Sequence, residues 1–340
     1  MSKQAVTLLL CGGFGTNIGL EFIQRPGFEL SKEHTEVAVI DTSRSNLKRF
    51  SELEKEGKVR THLVNGADGS GQFRAENNDQ IAQLVESLIN EGLGQGLVIV
   101  VYSGSGGSGA MAGPEAHQLL VERGRSVISV VLGNDTTAHA TSNTWKTIMT
   151  LANKAAAGNK NYSLYFAQQR DAKTGKVDMK TTDAEFLSVL DDLITIGHID
   201  NGDLDTKDIY YWLNYPMNQE SPGTLRFLEL VNRTGEAEVP NEPDNVPSSV
   251  LSLLKERGQS PLVPEGTGIV YYGYLPSDIK FENSTEVQFQ LYAGRSQKLV
   301  AELQRREADL KSIAEKAAQS AAGDIKPITS GNVTDRGTLL

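Results

Sequence analysis

Residues 102–114 read YSGSGGSGAMAGP, so Ser103, Gly104, Ser105, Gly106, Gly107, Ser108 and Gly109 form one unbroken glycine–serine run. Glycine has no Cβ, and its backbone N–H can approach an oxyanion closely. Serine hydroxyls add further donors. The run follows Leu97–Val101, a β-branched stretch patterned as a buried parallel strand. It leads into residues 112–124, where Leu119, Leu120 and Val121 suit a helix. Strand, glycine loop and helix N-terminus in succession make a cradle for phosphate. A Gly/Ser linker is the plainer alternative, but linkers are not clamped between a buried strand and a helix.

Two further loops have the same make-up. Gly12, Gly13, Phe14, Gly15, Thr16 and Asn17 follow a strand at 6–10 and precede helical residues 20–23. Asp68, Gly69, Ser70 and Gly71 follow a short strand at 62–64. The first loop is half of a dinucleotide fingerprint, with Ile18 where a third glycine belongs. There is no Gly-Lys-Ser/Thr, which excludes a P-loop. Asp41 ends a strand at 37–40, where ribose hydroxyls are commonly held. With Thr42 and Ser43 it would equally form a turn, and the residues leave both readings open. Asn134 and Asp135 follow a strand at 127–132.

These loops need a scaffold that brings them together. Strands at 6–10, 37–40, 62–64, 97–101, 127–132 and 162–166 alternate with helical stretches at 81–89, 112–124 and 141–156. That alternation predicts an α/β fold, a doubly wound parallel sheet with helices on both faces. Right-handed crossovers put every strand's C-terminus on one edge. The glycine loops, Asp41, Asn134 and Asp135 then converge on one rim as a nucleotide site. Thr182-Asp183-Ala184-Glu185 has the signature of a helix cap. Residues 186–196 continue as a helix apolar on more than one face, expected to join two halves. The second half predicts strands at 224–231, 268–274 and 286–292 and a helix at 248–256, a smaller α+β unit. A long polar helix at 295–322 and a mobile tail at 324–340 close the chain.

Composition narrows the function classes. The chain has 340 residues, 33 basic against 43 acidic, for a net charge of −10. That balance argues against direct nucleic-acid binding and against anionic membranes. No apolar run reaches the length of a membrane span, and no signal segment opens the chain. One cysteine, Cys11, excludes an intramolecular disulfide and suits a reducing cytoplasm. One Cys and five His argue against a dedicated zinc site, so no protein-held metal is expected.

The three glycine loops, in this order, resemble those of the tubulin/FtsZ superfamily. The third resembles its GGGTGSG signature, with Ser103 and Ser105 replacing glycines and Gly106 replacing threonine. Gly202-x-Leu204-Asp205-x-x-Asp208 resembles the NxDxxD synergy loop, with Asp203 in place of the asparagine. From residue 5 to about 322 the order of elements is most similar to the PhuZ-type tubulins of large bacteriophages. The tail departs from those, carrying only Asp324 and Asp335 where they have an acidic cluster.

The resemblance implies a Rossmann-like GTP-binding domain at 1–182, a central connecting helix at 183–200, an α+β domain with the synergy loop at 201–293, and a surface helix with tail at 294–340. It implies GTP or GDP with Mg2+ as ligands. The third loop would hold the α and β phosphates, and Gly69-Ser70-Gly71 would sense the γ phosphate. Asp183 would accept from guanine N1 and N2. Asp205 and Asp208 would complete the nucleotide site of a neighbouring copy, in a head-to-tail homopolymer. By residue type alone, Asp205 and Asp208 would cap a helix at 209–213. The implied role is a dynamic filament in a bacterial host's cytoplasm that positions phage DNA or replication structures. Two other readings are a nicotinamide-dependent oxidoreductase and a tubulin-like scaffold without turnover. Ile18 and the two extra glycine loops count against the first, and kinetics alone would separate the second.

Overall fold

The computed structural model describes residues 6–25, 35–71, 73–169, 179–198, 204–215, 223–233, 247–254, 267–274, 288–294 and 296–323. The first half runs β1 (Val6–Cys11), α1 (Gly12–Gln24), β2 (Thr35–Asp41), α2 (Arg44–Lys48), α3 (Ser51–Lys55), β3 (Arg60–Leu63), α4 (Asn78–Asn90), β4 (Leu97–Ser103) and α5 (Ser108–Glu122). It continues with β5 (Ser126–Gly133), α6 (Ala138–Gly158), β6 (Tyr162–Gln168), α7 (Met179–His198) and α8 (Thr206–Asn214). The second half supplies β7 (Leu225–Arg233), β8 (Pro247–Leu254), β9 (Ile269–Tyr274), β10 (Gln288–Gly294) and α9 (Gln297–Gly323).

The described strands form one sheet in the order β3-β2-β1-β4-β5-β6-β7-β10-β8-β9. Strands β1 to β6 are parallel throughout. The side-chain period of two splits each strand between two cores. Leu8 and Leu10 of β1 face the core shared with α1, α7 and α8, while Leu9 and Cys11 face that of α4, α5 and α6. The expected helices on both faces follow from this near-continuous apolar patterning. Because β1 pairs with β2 on one side and β4 on the other, the strand order reverses between β1 and β4. A crevice opens outside the strand C-termini at such a switch point.

The second half extends the same sheet. Tyr162–Tyr165 of β6 pair in parallel with Leu225–Leu228 of β7, and β10 then runs antiparallel to both β7 and β8. The helix expected at 248–256 is strand β8 through Leu254, with 255–256 outside the described residues. Its leucines favour a helix locally, but β8 is paired on both sides, by β10 and β9, and Leu251, Leu253 and Leu254 are all buried. Tertiary pairing overrides the propensity there. Helices α1 and α5 also begin earlier than expected, absorbing Gly12–Gly19 and Ser108–Met111.

Helix α7 begins at Met179, so Asp183 lies in its second turn and does not cap it. At one end of α7, Phe186 packs edge-on against Phe14 with ring centroids 5.1 Å apart. At the other, His198 Nε2 lies 2.9 Å from Thr35 Oγ1, at the start of β2. The helix thus runs from the C-terminal edge of the sheet to its N-terminal edge. Leu303 of α9 is buried in the core over α6, whereas Ile313 is exposed, as expected of a surface helix. Gly202, Asp203 and the tail at 324–340 lie outside the described residues.

Candidate functional site

A cleft of about 510 Å³ opens at the switch point, within the 300–1,000 Å³ range of ligand sites. It is built where the turns β1→α1 and β4→α5 meet backbone to backbone. Gly12 has φ +68°, and a Cβ there would lie 2.6 Å from Gly109 N. A Cβ on Gly109 would lie 2.7 Å from the Cys11 carbonyl oxygen. Only glycines allow the two helix N-termini to approach this closely.

Those N-termini are bare. Neither α1 nor α5 has a side-chain cap or an acidic residue in its first turn. Helices α6 and α4 are finished differently: Thr137 accepts from Ala140 N–H at the start of α6, and α4 carries Asp79 in its first turn. Bare helix starts leave amide donors and the positive end of the dipole to a ligand. One donor at the start of α5, Ser108 N–H, reaches Ser70 Oγ at 3.1 Å. Thr42 Oγ1 and Ser108 Oγ are 2.6 Å apart, so hydroxyls from three loops meet at the start of α5. Two bare helix N-termini ringed by hydroxyls fit a chain of phosphates.

The structure brings most of the expected residues together. Gly13, Phe14, Asn17, Asp41, Gly69, Ser70, Ser103, Ser105, Gly106, Gly107, Ser108, Gly109 and Asn134 line the cleft. Gly12, Gly15, Thr16, Asp68, Gly71, Gly104, Asp135 and Asp183 are not among its lining residues. Gly15 is pressed against the sheet, since a Cβ there would lie 2.6 Å from Val101 O. Thr16 is buried and donates to Gly12 O at 2.9 Å. Gly104 has committed its backbone, donating to Leu132 O and accepting from Thr147 Oγ1. Asp68 and Gly71 are exposed on the second loop, and Asp135 is half-buried beside Asn134.

Asp41 realises the turn and also faces the cleft. Its carboxylate accepts from Ser43 N–H at 3.1 Å and from Asn46 Nδ2 at 2.8 Å. Asn46, Thr42, Thr136 and Thr137 also line the cleft without having been singled out as site residues, and Gln169, just past β6, joins them. Most of them follow the C-terminus of a strand, which is the signal that could have marked them. Gln169 Oε1 accepts from Asn134 Nδ2 at 2.9 Å. Burial, and then the charge of Asp41, raises the Cys11 thiol far above its usual pKa, so it is inert as a nucleophile.

Asp183 is half-buried on α7, one turn before Phe186. Burial, and then the charge of Glu21, raises its pKa. Asp205 and Asp208 lie at the start of α8 as a capping box. Asp205 Oδ1 accepts from the N–H groups of Lys207 and Asp208, and Asp208 Oδ2 accepts from Asp205 N–H. The capping role is therefore filled, using one oxygen of each carboxylate. Helix α8 is fixed to the sheet edge opposite the cleft: Asn214 Nδ2 donates to Arg125 O beside the start of β5, and Asn161 N–H donates to Asn214 O. Among the described residues no group of three or more His, Cys, Asp or Glu could hold a metal ion. No described helix is long and apolar enough to cross a membrane.

No protein-family model matches the chain. It is 27% identical over 258 residues to a phage tubulin-like protein of Pseudomonas phage PhiPA3, covering 75% of this chain and 76% of that protein. It is 23% identical over 275 residues to the phage tubulin-like protein of Pseudomonas phage phiKZ, covering 79% and 80%. Among solved structures, a protofilament of TubZ from bacteriophage PhiKZ superposes with a TM-score of 0.77 at 20% identity, covering 98% of this chain and 97% of that one. The phage tubulin PhuZ with GDP superposes with a TM-score of 0.76 at 19% identity, covering 98% and 99%. With its ten-stranded mixed sheet, its switch-point cleft and this likeness along most of its length, the chain has the fold of the tubulin/FtsZ superfamily and is similar in sequence to the phage tubulin-like proteins.

Proposed function

We propose that the chain binds GTP in the switch-point cleft, assembles head to tail into filaments, and hydrolyses GTP at the junction between copies. The observation that carries this reading is the pair of bare helix N-termini converging on the cleft. Two of the superposed structures support it, one a phage tubulin with GDP and the other a protofilament. Gly106 and Gly107 present backbone to the phosphates, and Ser103, Ser105 and Ser108 add hydroxyls. Mg2+, when bound with the nucleotide, supplies charge neutralisation on the phosphates.

Hydrolysis needs a group that orients water, and the cleft has no carboxylate to spare. Among the described residues Asp41 is its one acidic lining residue, 2% exposed and engaged by Ser43, Asn46 and Thr16. The second oxygens of Asp205 and Asp208 are left over from the capping box, at the start of the helix whose last turn is fixed to the opposite sheet edge. They meet a nucleotide only when another copy stacks on this one, which is a heterologous contact. Positioned there, they orient the attacking water.

Turnover per subunit must then rise steeply with protein concentration. Asp205→Ala should keep GTP binding and lose most turnover. Gly107→Val, with a branched side chain in the phosphate loop, should lose GTP binding while staying folded. Mixed, the two should regain turnover, since each supplies the half the other lacks. A dilute monomer hydrolysing at the full rate would sink the interface mechanism.

Asp183 is the proposed reader of guanine, since Phe186 one turn on packs against Phe14 of the cleft wall. Its carboxylate would accept from N1–H and N2–H2, and adenine offers an acceptor at N1. GTP should therefore outcompete ATP at least tenfold, and Asp183→Ala should narrow that preference; equal competition in the parent would refute the assignment. The phage origin of both relatives supports a cellular role in positioning phage DNA or replication structures. A fluorescent fusion in infected cells tests it: Asp205→Ala should displace the DNA, and DNA centred as usual would exclude the role.

A further inference from the structure

Arg226 is a guanidinium buried where strand β7 meets β6, and it is 4% exposed. It faces Ser163 in the parallel register. One of its terminal nitrogens lies within hydrogen-bond reach of the carbonyls of Trp212 and Leu213 in the last turn of α8, and of Ser163 Oγ at 3.0 Å, and its two N–H groups are shared among these three acceptors. The other terminal nitrogen reaches Ser249 Oγ on β8 at 3.3 Å. The guanidinium also lies 5.1 Å from the centroid of the Trp212 ring. Ser163 Oγ donates to Leu213 O as well, at 3.1 Å.

A cation with this much burial is costly unless it is paired. No described carboxylate forms an ion pair with it, and burial alone lowers its pKa to about 9. Its compensation is the negative end of the α8 dipole, two helix-terminal carbonyls and the face of Trp212. A methionine would fill the space without a buried charge. What an apolar side chain cannot do is fix α8 to strands of both halves of the sheet at once.

We propose that Arg226 is a positioning residue for Asp205 and Asp208: by clamping the C-terminal turn of α8 to β6, β7 and β8, it sets where the opposite end of that helix presents its two carboxylates. The inference rests on the function proposed above. Helix α8 is nine residues long, so it transmits a displacement of one end to the other as a rigid rod. A misplacement of about 1 Å at a reacting centre can cost on the order of 100-fold in rate. Ser163 and Arg226 lie at the sheet edge away from the cleft, so the nucleotide pocket does not depend on this clamp.

The test uses Arg226→Met and Arg226→Lys in the full chain. Dilute Arg226→Met should bind GTP as the parent does and co-assemble, with turnover per assembled subunit down roughly 10–100-fold. Arg226→Lys, which reaches fewer acceptors, should fall between. Mixing separates positioning from general damage. Arg226→Met mixed with Gly107→Val should regain turnover, because the Gly107→Val subunit brings an intact α8 to an intact cleft. Arg226→Met mixed with Asp205→Ala should not, because both lack a working α8. Should Arg226→Met fail to bind GTP, Ser163→Ala, which leaves the arginine in place, should show the same pattern at a several-fold scale. Unchanged turnover in Arg226→Met, or a loss of GTP binding in both Arg226→Met and Ser163→Ala, overturns the proposal. So does a failed rescue by Gly107→Val when Asp205→Ala with Gly107→Val succeeds. If that control pair also fails while co-assembling, the interface mechanism itself is wrong, and this proposal falls with it.

Discussion

Gly109 shows how a single hydrogen atom in place of a methyl holds two elements in register. Its missing Cβ would press on the carbonyl of Cys11 at 2.7 Å, and neither partner is a flexible side chain that could swing away. Gly109→Ala should therefore cost about 1–3 kcal/mol of stability and weaken GTP binding in the same variant, as read by denaturant melts and nucleotide titration. Parental values for both would mean that the two turns tolerate separation. His117 makes a residue-scale prediction about pH. It is buried, with Nδ1 2.8 Å from Ser129 Oγ and its ring stacked on Tyr162. Burial lowers its pKa from 6.5 to about 3. The unfolded chain takes up a proton near pH 6.5 that the folded one refuses, so the stability His117 allows is complete above pH 6.5 and falls toward pH 3. The slope is about 1.4 kcal/mol per pH unit at most. In His117→Gln the melting temperature should drop less between pH 7 and pH 5 than in the parent. Identical slopes would remove His117 from the account.

Helix α7 carries the element-scale tension. It is apolar on more than one face because it lies over the sheet from edge to edge, with Leu190 and Leu193 buried. Yet it also brings Asp192 into that layer, and burial, then the charge of Asp191, raises its pKa to about 7. Asp191 itself is held by Arg25 at 2.7 Å. The sign for Asp192 is opposite to that for His117. The folded state keeps the proton that the unfolded state releases near pH 3.8, so this stability is complete below that pH and is lost as pH rises through about 7. Asp192→Asn should raise the melting temperature, with the gain widening from pH 4 to pH 7 and constant above. A gain that is flat across that range would mean the carboxyl titrates normally. Strand β8 carries the complementary lesson: a leucine-rich segment with helical propensity becomes a strand when β10 and β9 take both of its edges.

Across the whole molecule, the cleft and the last turn of α8 lie at opposite edges of the sheet. The strand C-termini gather the glycine loops, and the N-terminal edge gathers Arg125, Asn161 and the end of α8. Under the function proposed above, a molecule so arranged has a complete site only when another copy stacks on it. In Asp205→Ala filaments the nucleotide should persist as GTP, and light scattering should decay at least several-fold more slowly than in parental filaments once free GTP is removed. Equal decay rates would mean that disassembly does not wait on hydrolysis.

The local sequence was enough for the glycine loops, the alternation of strands and helices, and so for the shared rim. These are short-range facts: a period of two, a missing Cβ, a cap three residues on. The likeness to tubulins and FtsZ rested on the same loops and on Asp205 and Asp208. Other features depended on contacts between distant segments. Only the fold could bury Ile18 against the sheet, join β7 to β6, and turn residues 248–254 into a strand. Only the fold could place Asp183 beside Glu21 and bring Asn46 to the cleft wall. Arg226 gave no signal at all. Its partners, Trp212, Leu213, Ser163 and Ser249, lie 13 to 63 residues away along the chain. A buried cation is recognisable only once the elements that solvate it have packed around it.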